Sequence, residues 1–226
     1  MVAFAGRSVI VVDCGGDVVQ RLLAGGIDLD RIALLFLTHE HPDHIGGFPL
    51  FMEKIWLSGR RSPIPVRGPQ RAIDHARRIF EVFDTSGWEG MPPIEWGPVA
   101  LEEDQTVWED DEWRITASPG RHSVPVLGIR VEDVRDGGSV AYSSDTEGSA
   151  SIARLAAGAD ILVHEATGDL AGHASAAGAA EVAREANVER LVLVHLPPAF
   201  GEAELRTARR YFERTEAGKD GQTYLF

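Results

Sequence analysis

The chain is short of cysteine, of positive charge and of long apolar runs. Its single cysteine, Cys14, rules out an intrachain disulfide and fits a reducing cytoplasm. Placed at the end of the apolar run Val9 to Val12, it reads as a buried structural thiol rather than a nucleophile. No stretch of about 18 apolar residues exists, so no membrane-spanning helix is expected. Met1 to Gly6 is too short and too weakly patterned for a signal peptide. The formal net charge of -13 speaks against long nucleic acid as a partner, since such binding rests on a basic surface. Arginines cluster at Arg60/Arg61, Arg77/Arg78 and Arg206/Arg209/Arg210, and most of these read as solvated faces of helices and loops, with a local anion patch as the alternative. No internal repeat or low-complexity linker interrupts the chain. With 226 residues, 44% of them hydrophobic, it is expected to form one domain, 1–226.

Short apolar strands alternate with helices. Strands are expected at Val9 to Val12 and Ile32 to Leu37, with a short helix at Val18 to Ala24 closed by Gly25-Gly26. Ala72, Ile73, Ala76, Ile79, Phe80 and Phe83 give Arg71 to Phe83 an amphipathic helical spacing. From Ile94 to Val131 the pattern turns to β. Glu109-Asp110-Asp111-Glu112 reads as a hairpin tip kept in water by its charges, and Arg135 to Gly138 as a second hairpin turn. A helix near Ser151 to Ala157, a strand Ile161 to Val163, a helix Ala176 to Ala186, a strand Leu191 to Val194 and a helix near Ala203 to Arg214 follow. Ser175 is the expected N-cap of the penultimate helix and Asn187 its stop. The order implies an α/β fold in layers. The loop Asp84 to Pro93, with Trp88 and Met91, fits equally a cleft wall, a subunit contact or a segment tucked onto the core.

The chemistry concentrates in Thr38-His39-Glu40-His41-Pro42-Asp43-His44, directly after an apolar strand. Histidine is the commonest zinc ligand among side chains, and an adjacent carboxylate allows a second metal or a positioned base. Seven of the eight histidines lie just beyond strands or in the polar segments that follow them: His39, His41, His44, His122, His164, His173 and His195. Only His75 sits in a helix body, and it is assigned to the surface. Repeated placement after strands implies convergence on one edge of the sheets.

The order Thr-His-x-His-x-Asp-His, a lone His122, Ser144-Asp145, His164-Glu165-Ala166-Thr167, Gly172-His173-Ala174-Ser175 and a strand-end His195 resembles the metallo-β-lactamase superfamily. Within it the pattern looks like the ribonuclease Z-like metal-dependent phosphodiesterases. The resemblance implies a four-layer αββα sandwich with a dinuclear metal cleft at the sheet edge. It implies one metal on His39, His41 and His122, a second on Asp43, His44 and His195, and Asp145 bridging the two. Asp13 would orient the metal loop from behind the ligands. The two divalent ions would be Zn2+, with Mn2+ or Fe as the other ions such donors accept. They would hold a bridging hydroxide, which Asp43 orients, while His173, held by Glu165, acts as general acid. His164 reads as structural.

Three departures separate the chain from a strict ribonuclease Z. Only 22 positions, 123 to 144, separate His122 from Asp145, too few for the long arm with which those enzymes grip transfer RNA. Leu196-Pro197-Pro198 follows His195 in place of the family's phosphate-contacting Ser-x-Arg-Tyr. The acidic charge is the third. The expectation is therefore a cytoplasmic hydrolase of a small phosphodiester. Ribonuclease Z-type tRNA 3′ processing, thioester or lactam hydrolysis, and a non-catalytic metal-binding protein are the alternatives. About one strand is expected before Asp13, where relatives begin with more, so the start is either truncated or covered by a partner in a homodimer.

Overall fold

Most apolar runs of the sequence become inner strands of two sheets in a computed structural model, which describes all 226 residues. The backbone contacts divide into two units, residues 1–100 and 101–226.

In the first unit β1 (Val2–Ala5), β2 (Val9–Val12), β3 (Ile32–Phe36), β4 (Ile64–Pro69) and β5 (Ile94–Val99) stand side by side in sequence order. β1 and β2 pair antiparallel, and β2 to β5 run parallel. Parallel neighbours need crossovers, and α1 (Val18–Ala24), α2 (Pro42–Ile45), α3 (Phe48–Leu57) and α4 (Gln70–Glu81) lie in them. Val9, Val11 and Leu35 share one core with Leu22, Phe48, Phe51, Met52, Ile55, Ile73 and Phe80. Ile10, Leu34 and Phe36 lie outside that cluster and are equally inaccessible. Both faces of the parallel strands are thus shielded, which is why they read as unbroken apolar runs. Each fully buried side chain of this size contributes about 1.5–3 kcal/mol.

The second unit holds β6 (Gln105–Glu109), β7 (Trp113–Pro119), β8 (Leu127–Asp133), β9 (Ser139–Tyr142), β10 (Ile161–Glu165), β11 (Arg190–Val194) and β12 (Thr215–Ala217). Their spatial order is β12-β11-β10-β9-β8-β7-β6, antiparallel from β6 to β9 and parallel from β9 to β12. α5 (Ala150–Leu155), α6 (Ala176–Ala186) and α7 (Glu202–Tyr211) accompany the parallel half. Ala176, Ala179, Ala180 and Ala183 of α6 pack in one core with Leu162, Leu191 and Leu193. Ser175 caps α6 by accepting from the Gly178 N–H, and Asn187 ends it in the left-handed region at φ 52°. The interval 123 to 144 is occupied by β8, β9 and their short turn, with no arm.

Several expectations need correction. Two strands, not one, precede Asp13. α3, β4 and β12 are additional elements, and the last helix stops at Tyr211. α4 runs over Gln70–Glu81, and β10 continues through His164 and Glu165. Glu112 is not kept in water: it is 2% exposed and pairs with Arg135 at 3.0 Å, while the Asp110 carboxylate caps the turn by accepting from the Glu112 and Trp113 N–H groups. Arg60 is no solvated face either. It is buried and donates to the carbonyls of Leu29, Ser62 and Pro63. In the Asp84 to Pro93 loop, Trp88 stacks on Trp56 with centroids 4.8 Å apart, and Met91 packs on the first unit's core. Those two side chains anchor a loop most of whose other residues stay exposed.

Candidate metal centre

The donors of the first unit hang from the ends of β2 and β3. Asp13 follows β2 with φ 64°, a conformation that aspartate tolerates better than most residues. Its Oδ1 accepts from the Thr38 N–H at 2.8 Å, and its Oδ2 accepts from the Thr38 hydroxyl at 2.9 Å. The same Oδ2 lies 2.8 Å from His44 Nδ1. A carboxylate oxygen only accepts here, so His44 carries its proton on Nδ1 and presents the Nε2 lone pair. With its single proton given to Asp13, the Thr38 hydroxyl accepts from His39 Nδ1 at 3.1 Å. That fixes His39 with an unprotonated Nε2.

Backbone threading makes this arrangement tight. Cys14 N–H donates to the His44 carbonyl at 2.7 Å, and Gly47 N–H to the Cys14 carbonyl at 2.7 Å. A Cβ on Gly15 would stand 1.6 Å from the Asp43 carbonyl oxygen, so only glycine fits there. Cys14 itself is buried, and burial with the Asp13 charge pushes its thiol pKa well up, as expected of a structural residue. Glu40 pairs with Arg71.

His39 Nε2 and His41 Nδ1 approach to 3.1 Å. Two nitrogens bound to one tetrahedral zinc at about 2.0–2.1 Å each must lie about 3.3 Å apart. The pair is therefore spaced as two ligands of one ion. Asp43 and His44 sit on α2, where the Asp43 side chain is 60% exposed and its Oδ2 is 3.6 Å from His44 Nε2. The donor set of imidazoles and carboxylates suits zinc, manganese or iron.

The second unit presents donors in the same way. His122, between β7 and β8, has its Nδ1 2.7 Å from the Gly172 carbonyl, which can only accept, so Nε2 is the unprotonated nitrogen. Asp145 follows β9 and is 2% exposed. His195 follows β11 at φ 52°. The Thr167 hydroxyl donates to the His195 carbonyl at 3.0 Å and so accepts from His195 Nδ1 at 2.7 Å, which leaves Nε2 unprotonated once more. His195 Nδ1 lies 3.6 Å from Asp145 Oδ1. His122, Asp145 and His173 form one close group of donors, and Glu165, His173 and His195 another.

Glu165 closes β10 and is inaccessible to solvent. Its Oε1 accepts from the Thr146 and Ala174 N–H groups at 3.1 and 3.2 Å and from His173 Nδ1 at 2.8 Å, while Oε2 accepts from the Thr167 N–H at 2.8 Å. Four donors offset the cost of burying a carboxylate. His173 then points Nε2 outward from a side chain 20% exposed. His164 is different. Alternation puts it on the same face of β10 as Leu162, in the helix-side core. Its Nδ1–H donates to the Glu165 carbonyl at 2.8 Å, its Nε2 has no partner, and burial lowers its pKa. It is structural, as expected.

The sequence reading missed the supporting shell. Thr38 and Thr167 stood inside the quoted motifs without a role, and both turn out to set histidine tautomers. Glu147 was not singled out. Its carboxylate accepts from the Gly172 N–H at 2.9 Å and pairs with Arg121 at 3.1 Å, which ties the His122 loop to the His173 loop. No short-range sequence signal links positions 25 apart.

Residues 8–196 match the Beta-lactamase superfamily domain. The chain is 31% identical over 250 residues to the ribonuclease Z of Mycolicibacterium gilvum, covering 96% of this chain and 85% of that one. Among solved structures, the short form of human tRNase Z aligns with a TM-score of 0.80 at 23% identity, over 97% of this chain and 89% of that one. A diphosphatase from the PhnP family aligns with a TM-score of 0.73 at 19% identity, over 99% and 82%. These likenesses show the metallo-β-lactamase fold.

Proposed function

We propose that this chain, which belongs to the metallo-β-lactamase superfamily in its ribonuclease Z-like branch and is a metal-dependent hydrolase, cleaves small phosphodiesters. One divalent ion is assigned to His39, His41 and His122, and a second to Asp43, His44 and His195, with Asp145 as the shared carboxylate. Both are taken to be Zn2+. The support is that each of His39, His44, His122 and His195 has one nitrogen engaged by Thr38, Asp13, Gly172 or Thr167, so the other keeps its lone pair for a metal. When bound, the two ions supply water activation at neutral pH and neutralise phosphate oxygens.

The protein's own residues do the rest. Asp43, the most exposed of these carboxylates, orients the attacking water. The observation that carries the phosphodiester reading is the His173–Glu165 pair at 2.8 Å. An alkoxide leaving from phosphorus needs a proton, and His173 Nε2 is the atom placed to give it while Glu165 retains the Nδ1–H. Thioester and lactam hydrolysis require no such buried pair.

The test is turnover of bis(p-nitrophenyl) phosphate by protein loaded with Zn2+ or Mn2+. Turnover supports the reading, a loss in His173→Ala that falls mainly on a diester with an alkoxide leaving group supports the acid role, and no activity with any divalent metal sinks it. Turnover of S-lactoylglutathione or nitrocefin that ignores His173→Ala would move the protein to acyl chemistry. A second reading, RNA 3′ processing, is favoured by the name of the Mycolicibacterium relative, and it stands against the exclusion of long nucleic acid drawn from charge alone. The short turn in place of an arm argues the other way, and trimming of a transfer-RNA precursor would decide for it.

A further inference from the structure

Beside His122 the second unit carries an open cleft of about 620 Å³. Leu101, Val124, Pro125 and Val126 give it apolar walls, and Arg121 and Glu147 give it a polar edge. We infer that this cleft is the subsite for the nucleobase of a small nucleotide phosphodiester, stacked against Arg121. The inference rests on the phosphodiesterase reading and goes beyond it by naming the substituent.

The cleft adjoins a proposed metal ligand. His122 lines it, so a group bound here lies one side chain from the proposed metal. Size comes next: the volume lies within the range of small-ligand sites and has room for one nucleoside-sized group. Chemistry then narrows the occupant. Leu101 is 46% exposed, an apolar side chain left in water at the rim. Aliphatic and proline surfaces accept the flat face of a ring, and a guanidinium is planar and stacks on one. A plain aryl group would use the apolar walls only. A base also presents donors and acceptors at its edge, and the Arg121–Glu147 pair offers both kinds.

Arg121 is also held ready. Its N–H donates to the Thr146 hydroxyl at 2.8 Å, its carbonyl accepts from the Glu147 N–H at 2.9 Å, and its guanidinium lies 3.1 Å from the Glu147 carboxylate. The side chain is nonetheless 70% exposed, so most of its surface is open to a ligand. In a chain of net charge -13, it is a cation one residue from a proposed metal ligand.

The experiment measures binding of thymidine 5′-(methyl phosphate), dimethyl phosphate and diphenyl phosphate to the metal-loaded protein by rapid mixing, before turnover, with metal content checked in each variant. Leu101→Ala and Arg121→Lys are both surface changes. Each is expected to weaken the thymidine ester roughly threefold to tenfold, the range of one apolar or cation–π contact, and to leave dimethyl phosphate unchanged. Arg121→Lys keeps the charge and loses the stacking plane, so its effect separates stacking from simple attraction. Unchanged binding of the thymidine ester in both variants overturns the inference. So does diphenyl phosphate that binds as tightly as the thymidine ester and loses as much in Arg121→Lys. Turnover of bis(p-nitrophenyl) phosphate is followed in parallel. Turnover with variant-insensitive binding leaves the phosphodiesterase reading standing without the subsite. Variant-sensitive binding without turnover does the reverse.

Discussion

Replacing Asp13 by asparagine should uncouple metal affinity from folding. Asparagine tolerates the left-handed backbone that Asp13 adopts at φ 64°, so the substitution adds no backbone strain. The side-chain oxygen must stay where Oδ1 is, because it accepts the Thr38 N–H at 2.8 Å. The amide NH2 then takes the place of Oδ2, facing the Thr38 hydroxyl at 2.9 Å and His44 Nδ1 at 2.8 Å. It can only donate. His44 Nδ1 has to become an acceptor, which moves the ring proton to Nε2, the atom assigned to the metal. The Thr38 hydroxyl loses its acceptor as well and turns its proton towards His39 Nδ1, 3.1 Å away, so a second ligand is pushed to the wrong tautomer. Loss of one such orienting partner costs about 10–100-fold in metal affinity, or about 1.4–2.7 kcal/mol. With two imidazoles affected, the upper end is expected. Zinc competition against a chromophoric chelator gives the dissociation constant, and circular dichroism of the apoprotein checks the fold. Zinc bound within a factor of about two of the parent by a folded variant would refute the tautomer argument.

Four further outcomes follow from named contacts. His173→Ala should lower turnover of a diester with an alkoxide leaving group about 10²–10⁴-fold, but cost much less with p-nitrophenolate, which leaves without a proton; equal losses on both substrates would remove His173 as the acid. Gly15→Ala should abolish soluble expression or metal binding, since its Cβ would fall 1.6 Å from the Asp43 carbonyl oxygen, and normal metal content would contradict that packing. His164 is neutral in the fold because burial lowers its pKa, whereas the unfolded chain protonates it near about 6.5. Its contribution to stability is therefore full above that pH and lost as pH falls below it, so the urea midpoint of the apoprotein should drop from about pH 7.5 to about 5.5. The same drop in His164→Asn would assign the effect elsewhere. Cys14 should resist maleimide until the protein unfolds, because the thiol is buried and its pKa raised; fast labelling of native protein would show the β2 end open.

The donors were legible in the sequence because a sheet end converts sequence order into position. A polar residue one to three places past an apolar strand stays near the strand's carboxyl end, so His39, His122, Asp145 and His195 could be read without coordinates. The strands of the parallel halves were legible for a related reason: shielding on both faces leaves Ile32 to Phe36 or Arg190 to Val194 with almost no polar residue to blur them. β4 was hidden by Pro65 and Pro69, residues that ordinarily argue against an inner strand. It survives because β3 pairs with it only through Leu35↔Val66 and Phe36↔Arg67, so neither proline is asked for a hydrogen bond in that ladder. α3 was hidden because Gly46-Gly47 and Pro49 are residues common in turns, although proline in the first turn of a helix is favoured where the N–H has no partner. Glu112 and Arg60 failed for a different reason. Charge patterning gives the cost of burying an ion but not the identity of distant partners such as Arg135 or the Leu29 carbonyl that offset it. The same limit covers Thr38, Thr167 and Glu147. What the sequence carried was the set of atoms able to hold metal; which nitrogen of each ring keeps its lone pair depends on single hydrogen bonds across as many as 50 positions, as between His122 and Gly172, and only the fold brings those together.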